Sequence, residues 1–191
     1  MSKYFEVRWH GRGGQGTVTG AKSLAEAVQG TGKYVCAFPD YGPERRGAPV
    51  RAYDRFADER IRIHTPVLTP NVVMIVDPTL MGTPALLEGI SEQTAFVVNT
   101  EKAPEDVKET LGLSNQVLHT VPANTISHRL FKREIPNSAM MGAFARACPT
   151  VISLEDLIKE AEPIFSHLLG EDLVAKNLEA IRTGYEEVKT A

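Results

Sequence analysis

The stretch Trp9-His10-Gly11-Arg12-Gly13-Gly14-Gln15-Gly16 links a strand pattern to a helix pattern. Residues 4–9 alternate large apolar and polar side chains, which predicts a strand with one buried face. Residues 18–28 repeat their apolar side chains about every 3.6 residues, which predicts an amphipathic helix. Glycines 11, 13 and 16 satisfy the pattern G-x-G-x-x-G in this context. We predict that the turn holds a phosphate-bearing ligand at the helix N-terminus; the alternative is a βα turn that needs only positive φ.

Length and composition favour a soluble globular protein. A chain of 191 residues suits one domain, which we divide into an α/β sheet core (1–135) and a helical segment (136–191). Its apolar content of 42% and charged content of 24% are ordinary for such proteins. No apolar run has the length of a membrane span, and the first residues lack the apolar core of a signal peptide. We therefore expect a cytoplasmic protein without a membrane partner.

Charge is distributed unevenly along the chain. Residues 1–64 carry a net charge of +4, and the remainder carries −7. A basic first part beside the glycine turn suits an anionic ligand. The basic residues are too few and too scattered to indicate nucleic-acid binding.

The sequence contains no recognisable set of residues that could catalyse a reaction or hold a redox centre by itself. Cys36 and Cys148 lie far apart and share no metal-ligand spacing, so we expect small buried side chains. An iron–sulfur cluster usually takes about four thiolates, so an electron-transfer centre must lie on another chain. There is no Ser–His–Asp set, carboxylate pair or His/Cys cluster. We therefore predict no catalytic and no metal-binding residue.

Strand and helix patterns alternate along the rest of the chain. We predict an α/β fold with a mostly parallel open sheet, helices on its faces and a helical C-terminal segment. The predicted helix 139–148 is capped by Asn137 and Ser138, and Pro163 must bend or restart a later helix. The remaining predicted elements are strands at 33–38, 72–76, 94–99 and 116–121, a two-strand ribbon of 48–56 and 59–64, and helices at 84–89, 104–111, 154–169 and 173–188.

A second loop, residues 41–49, follows the second predicted strand. In an open α/β sheet the carboxyl ends of such strands face one crevice, so Arg45 and Arg46 are placed to reach phosphates at the glycine turn. The alternative is a pair of solvated arginines. A dinucleotide fold would place a ribose-binding acid at the end of this strand, yet Asp40 comes only after a proline. This departure argues against ordinary NAD binding.

Three further polar residues lie near the predicted crevice. His10 is at the edge of the turn, where packing is a more common role than ligand contact. Asp77 ends a buried strand, and a polar contact there has no independent support. Lys22, in the predicted first helix, is a weaker candidate for phosphate binding.

Taken together, the two loops resemble the γ subunit of the 2-oxoacid:ferredoxin oxidoreductases, and most closely its pyruvate (pyruvate synthase) type. The resemblance covers nearly the whole chain. Its matching segments are residues 9–22, 37–49, 76–80, 98–100, 136–143 and 177–186.

The resemblance implies a role in a larger enzyme. Such enzymes decarboxylate a 2-oxoacid oxidatively with coenzyme A (CoA), giving acyl-CoA, carbon dioxide and two electrons. Thiamine diphosphate, Mg²⁺ and [4Fe-4S] clusters are implied on partner subunits of α, β and δ (ferredoxin-like) type. The acceptor would be ferredoxin or an NAD-linked flavoprotein.

For this chain, the resemblance implies a CoA-binding surface instead of a redox centre. The residues that it places on the CoA phosphates are Gly11, Arg12, Gly13, Gly14, Gln15, Gly16, Thr17, Arg45 and Arg46.

Three alternatives stay open. In the first, the chain has the same role in an aromatic 2-oxoacid complex, acting on phenylglyoxylate or indolepyruvate. In the second, it is a purely structural subunit, whose glycine turn packs against a partner. In the third, it is a free-standing nucleotide- or flavin-binding reductase, which the missing ribose acid disfavours.

Overall fold

One sheet and six helices make up the computed structural model, which describes residues 3–40 and 47–191. The strands are β1 (Phe5–Arg12), β2 (Tyr34–Asp40), β3 (Pro49–Ala57), β4 (Val72–Ile75), β5 (Ala95–Asn99), β6 (Leu118–Val121) and β7 (Lys189–Thr190). The helices are α1 (Thr17–Gly30), α2 (Pro104–Leu111), α3 (Ala123–Phe131), α4 (Asn137–Ala147), α5 (Leu154–Leu168) and α6 (Glu171–Glu186). Two 3₁₀ turns, Pro78–Leu80 and Pro84–Leu86, follow β4.

The strand order is β2-β3-β1-β4-β5-β6-β7. The central strands β1, β4, β5 and β6 are parallel, while β3 runs antiparallel between β2 and β1 and β7 is antiparallel at the far edge. The predicted α/β fold with a parallel centre is confirmed. The chain leaves β1 toward one edge and later returns to β4 on the other side. The β1/β4 boundary is therefore the topological switch point, where open α/β sheets bind ligands.

Apolar side chains cover both faces of the sheet. The larger cluster contains Val7, Trp9 and Met74 of the sheet together with apolar residues of α1, α4, α5 and α6. The smaller cluster contains Val73 and Phe96 and includes apolar residues of α2. β4 is buried at every position, as its continuous apolar run predicts.

Helices α4 and α6 pack backbone against backbone. A Cβ at Gly142 would lie 2.9 Å from the backbone nitrogen of Tyr185, and one at Gly184 would lie 2.7 Å from Cα of Ala139. Only glycine permits this approach at either position. The crossing also carries a hydrogen bond of 2.6 Å from the Ser138 hydroxyl to Asn177.

The predicted ribbon is wrong in its second half. Residues 59–64 form no strand, because β3 is hydrogen-bonded to β2 on one side and to β1 on the other. Both of its edges are occupied. The predicted helix at 84–89 is likewise only the 3₁₀ turn Pro84–Leu86.

The helix ends differ in part from their predictions. Asn137 and Ser138 lie inside α4, which Pro136 precedes, so neither caps it. Helix α5 continues through Pro163 without the restart that was one of its two predicted outcomes. Ser153 caps α5, because its hydroxyl accepts from the backbone N–H of Asp156 at 3.0 Å. None of these helices, taken over the described residues, is long and apolar enough to cross a membrane.

Candidate functional site

The glycine turn lies at the switch point, between the ends of β1 and β4. The strand predicted over residues 4–9 runs on to Arg12, so Gly11 belongs to the ladder with β3 and not to the turn. The turn itself spans residues 13–16. Gly14 (φ 100°) and Gly16 (φ 77°) adopt the left-handed region, which other residues rarely occupy. Gly13 does not.

Several backbone N–H groups of this turn have no acceptor among the described residues. Gly16 caps α1 and offers no side chain to the helix end. Within residues 3–40 and 47–191, no backbone or side-chain acceptor bonds the N–H groups of Gly14, Gly16, Thr17 or Val18. These donors and the positive end of the helix dipole favour a negatively charged group at this point.

Gly13 makes a different contribution. Its N–H donates to the carbonyl of Ala48 at 3.0 Å, and its carbonyl accepts from Gly47 at 3.2 Å. The residue thereby extends the β1–β3 ladder into the turn. Its N–H is not available to a ligand in this structure.

Arg12 and Gln15 hold the turn in shape. The Arg12 guanidinium lies 3.0 Å from the carboxylate of Asp77, contacts the Thr79 hydroxyl at 3.2 Å and donates to the Gly47 carbonyl at 3.2 Å. The Gln15 amide donates to Asp77 at 2.9 Å and accepts from the Arg12 backbone N–H at 2.8 Å. Three segments of the chain meet in this clamp. Both side chains serve the architecture of the site.

Asp77 is the centre of the clamp. It is 4% exposed, and its carboxylate also accepts from the Thr79 backbone N–H at 2.8 Å. Burial by itself would raise the pKa of Asp77. Hydrogen bonds from Thr79 and Gln15 and the charge of Arg12 outweigh burial and lower that pKa, so the carboxylate is ionised at neutral pH.

Gly11 and Thr17 pack against each other where β1 approaches α1. A Cβ at Gly11 would overlap with the Thr17 hydroxyl. Thr17 is 2% exposed, and its hydroxyl oxygen is buried with no hydrogen-bond partner in the part of the chain that the structure describes. The side chain therefore sets the spacing of strand and helix, while its backbone N–H remains available to a ligand.

The predicted arginine pair, Arg45 and Arg46, lies outside the described residues. The flanks of their loop are described: Asp40 ends β2 and Pro49 begins β3 beside Arg12, at the same edge of the sheet as the turn. Lys22 is an exposed side chain 3.6 Å from Glu26, one helical turn further along α1.

His10 is buried and paired with a second buried polar side chain, that of Arg8. It is 4% exposed and accepts a hydrogen bond of 3.0 Å from the Arg8 guanidinium. Burial, with the nearby charges of Arg8 and Arg51, lowers the pKa of His10 to about 3. The imidazole is therefore neutral and structural.

This low pKa predicts a loss of stability in acid. The unfolded histidine has a pKa near 6.5, so the unfolded chain takes up a proton first as the pH falls below about 6.5. The stability present above that pH is lost progressively down to about pH 3, by at most about 1.4 kcal/mol per pH unit. Between pH 7 and 5 we expect wild-type protein to lose about 1–2 kcal/mol more than His10→Gln, whose amide still accepts from Arg8. Denaturant titrations at the two pH values measure this difference. Equal losses would contradict the assignment.

The geometry fits what comparison with known proteins finds. The sequence profile of the pyruvate ferredoxin/flavodoxin oxidoreductase family matches residues 6–187. The chain belongs to this family. It is 44% identical to pyruvate synthase subunit PorC of Thermotoga maritima over 187 residues, 98% of this chain and 96% of that one. It is also 44% identical to the common γ subunit of the pyruvate/ketoisovalerate oxidoreductases of Pyrococcus furiosus, over 96% of this chain and 97% of that one.

Solved structures of the family have the same fold. The crystal structure of T. maritima PORC matches with a TM-score of 0.87 and 42% identity, over 100% of this chain and 99% of that one. A 2-oxoglutarate:ferredoxin oxidoreductase of Magnetococcus marinus matches with a TM-score of 0.76 and 22% identity. That match covers 97% of this chain and 31% of the other. The predicted resemblance to a γ subunit is confirmed.

The residues that join the end of β1 to the end of β4 could not be identified from the sequence of this family member. The sequence places Asp77 near the crevice without a partner and gives no role to Thr79. Nothing in the sequence pairs these two residues with Arg12 and Gln15. The available signal was a buried strand that ends in Asp-Pro beside the switch point. Across the described residues, no three His, Cys, Asp or Glu side chains are grouped as metal ligands.

Proposed function

We propose that the chain is the γ subunit of a CoA-acylating 2-oxoacid oxidoreductase and contributes the surface that binds the CoA phosphates. The observation that carries the proposal is the glycine turn at the switch point, where the N–H groups of Gly14, Gly16 and Thr17 have no acceptor among the described residues of a chain in this family. The Magnetococcus relative, whose structure was solved with CoA and succinyl-CoA bound, supports it by fold.

The reaction divides between this chain and its partners. Thiamine diphosphate with Mg²⁺ supplies the carbanion chemistry, and [4Fe-4S] clusters carry the electrons to ferredoxin or to an NAD-linked flavoprotein. We assign these groups to α, β and δ-type subunits, as the family resemblance implies. For the clusters the composition agrees, because two cysteines cannot supply the four thiolates that such a cluster usually takes. This chain presents CoA and remains catalytically silent by itself.

Each residue of the site has a proposed role. The N–H groups of Gly14, Gly16 and Thr17 donate to the phosphate oxygens. Arg12 and Gln15 fix the turn through Asp77. Arg45 and Arg46 add positive charge from the second loop, which suits phosphate oxygens because the guanidinium is a forked donor.

Pyruvate is the favoured 2-oxoacid, because PorC of T. maritima is named a pyruvate synthase subunit. The relative in P. furiosus is named for both pyruvate and ketoisovalerate oxidoreductases. A γ subunit shared between two substrates is consistent with a 2-oxoacid pocket on other subunits. An aromatic 2-oxoacid complex and a purely structural subunit remain the alternatives.

The arginine pair provides the test of this proposal. In the assembled complex, Arg45→Ala/Arg46→Ala should raise the KM for CoA, because each charge-assisted contact contributes roughly 1.5–3 kcal/mol, or roughly 0–1 kcal/mol if the side chains are exposed. The KM for the 2-oxoacid should change much less. Steady-state kinetics with each substrate varied in turn measures both values.

The matched control is Arg60→Ala/Arg62→Ala, which removes the same charge at two exposed positions. It should leave the KM for CoA unchanged. If the Arg45/Arg46 variant behaves like this control, the two arginines are solvated surface residues. The charge part of the proposal would then be wrong.

A further inference from the structure

An apolar groove opens beside the glycine turn. It has a volume of about 520 Å³ and lies where the first turns of α1, α4 and α6 meet the end of α5. Its apolar wall is formed by Phe131, Ile135, Phe165, Leu168, Leu169 and Leu173. Leu168 is 66% exposed and Leu173 is 43% exposed. Such a cluster of exposed large apolar side chains indicates a binding surface, and the volume is in the range of small-molecule sites.

The groove is continuous with the anion site. Asn137 lines it and also contacts the turn, since a Cβ at Gly16 would lie 3.1 Å from Cγ of Asn137. Thr19, on the first turn of α1, lines the same end. A ligand whose phosphates occupy the turn can therefore extend directly into the groove.

The polar groups in the groove are of two kinds. Asn177 is already satisfied, accepting from Ser138 at 2.6 Å and donating to the Leu173 carbonyl at 2.7 Å. The side chains of Asn137 and Arg133 make no hydrogen bond or ion pair with the described part of the chain. The groove thus offers a free amide near the turn and an uncompensated cation at its rim.

We infer that this groove binds the adenosine 3′-phosphate end of CoA. An adenine ring has two apolar faces and a hydrogen-bonding edge, which match the leucine wall and the amide of Asn137. The 3′-phosphate supplies the anion that complements Arg133. The inference rests on the proposed function, and it orients the ligand: the pyrophosphate lies on the turn, and the pantetheine arm extends toward the partner subunit.

Dephospho-CoA, which lacks only the 3′-phosphate, tests the contact with Arg133. In the assembled complex, Arg133→Ala should raise the KM for CoA about fivefold or more and that for dephospho-CoA less than twofold. The preference for CoA over dephospho-CoA should therefore fall. Arg60→Ala, at an exposed position outside the groove, is the control and should keep the preference. An unchanged preference in Arg133→Ala would overturn the phosphate assignment.

The apolar wall has its own test. Leu168→Gln should raise the KM for CoA and for dephospho-CoA by the same factor, about threefold or more, in a complex that assembles normally. Leu68→Gln, at a leucine that is 74% exposed and outside the groove, is the matched control and should change neither value. Failure of the Leu168 variant to assemble with its partners would overturn the inference, because the groove would then be a subunit contact. Normal kinetics in that variant would overturn it as well.

The outcomes separate this inference from the proposed function. If substitution of Asp77, which holds the turn in shape, raises the KM for CoA while the groove variants do not, only the adenosine assignment fails. If none of them changes the KM for CoA, the proposed function fails too.

Discussion

Gly142→Val should destabilise the protein by at least about 3 kcal/mol, the upper part of the range for overpacked cores. A Cβ at this position would overlap with the Ile181 carbonyl oxygen of α6, and it would lie 2.9 Å from the Ile181 carbonyl carbon. Backbone atoms cannot rotate away as a flexible side chain can, so α4 and α6 must separate. Because both helices contribute to the larger apolar cluster, that separation exposes core residues.

Thermal and denaturant unfolding of the full chain measure the effect. Ala175→Val is the matched control, because this residue is exposed on α6 and the change introduces the same branched side chain into a helix. Its expected cost is below about 1 kcal/mol. A Gly142→Val protein as stable as the control would show that the two helices do not cross at this glycine.

Asp77→Ala should raise the KM for CoA about 10- to 100-fold while the protein remains folded. The substitution leaves the Arg12 guanidinium, the Gln15 amide and the Thr79 N–H without their shared acceptor. Hydrogen bonds to a charged group contribute about 1.5–3 kcal/mol, which corresponds to this factor in affinity. The turn then loses the geometry that aims its N–H groups at one anion.

The test is steady-state kinetics of the assembled complex with CoA and the 2-oxoacid varied separately. The kcat measured at saturating CoA should be within about twofold of the wild-type value, because the carboxylate acts through the turn and touches no substrate. Asp77→Asn retains one oxygen acceptor and should have an intermediate KM for CoA. A folded, assembled Asp77→Ala complex with normal CoA dependence would show that the clamp does not shape a ligand site.

The sequence was sufficient for local features whose cause is local. The strand-turn-helix unit around Gly16 follows from a change in apolar period, and β4 follows from its uninterrupted branched residues. The cap at Ser153 follows from side-chain chemistry within four residues. These elements do not depend on a distant partner.

Features that depend on distant partners escaped prediction. The segment 59–64 has a strand-like pattern, but β3 has no free edge to pair with it. The clamp joins Arg12 to Asp77, which lie far apart in sequence and meet only because β1 and β4 are neighbours. Helix α3 was not predicted at all. The glycines of the α4–α6 crossing could not be distinguished from turn glycines without the partner helix.

The groove was hidden for a related reason. Apolar residues in amphipathic helices, such as Leu168 of α5 and Leu173 of α6, indicate a core face when only the sequence is known. The structure leaves both partly exposed beside the glycine turn. Exposure of this kind depends on where α5 ends and α6 begins, which local periodicity does not determine.

Whether this chain binds CoA phosphates at its glycine turn can be seen in a structure of the assembled complex with CoA bound. We expect phosphate oxygens within hydrogen-bond distance of the backbone N–H groups of Gly14, Gly16 and Thr17. CoA held wholly by other subunits, with the turn in contact only with protein, would contradict it.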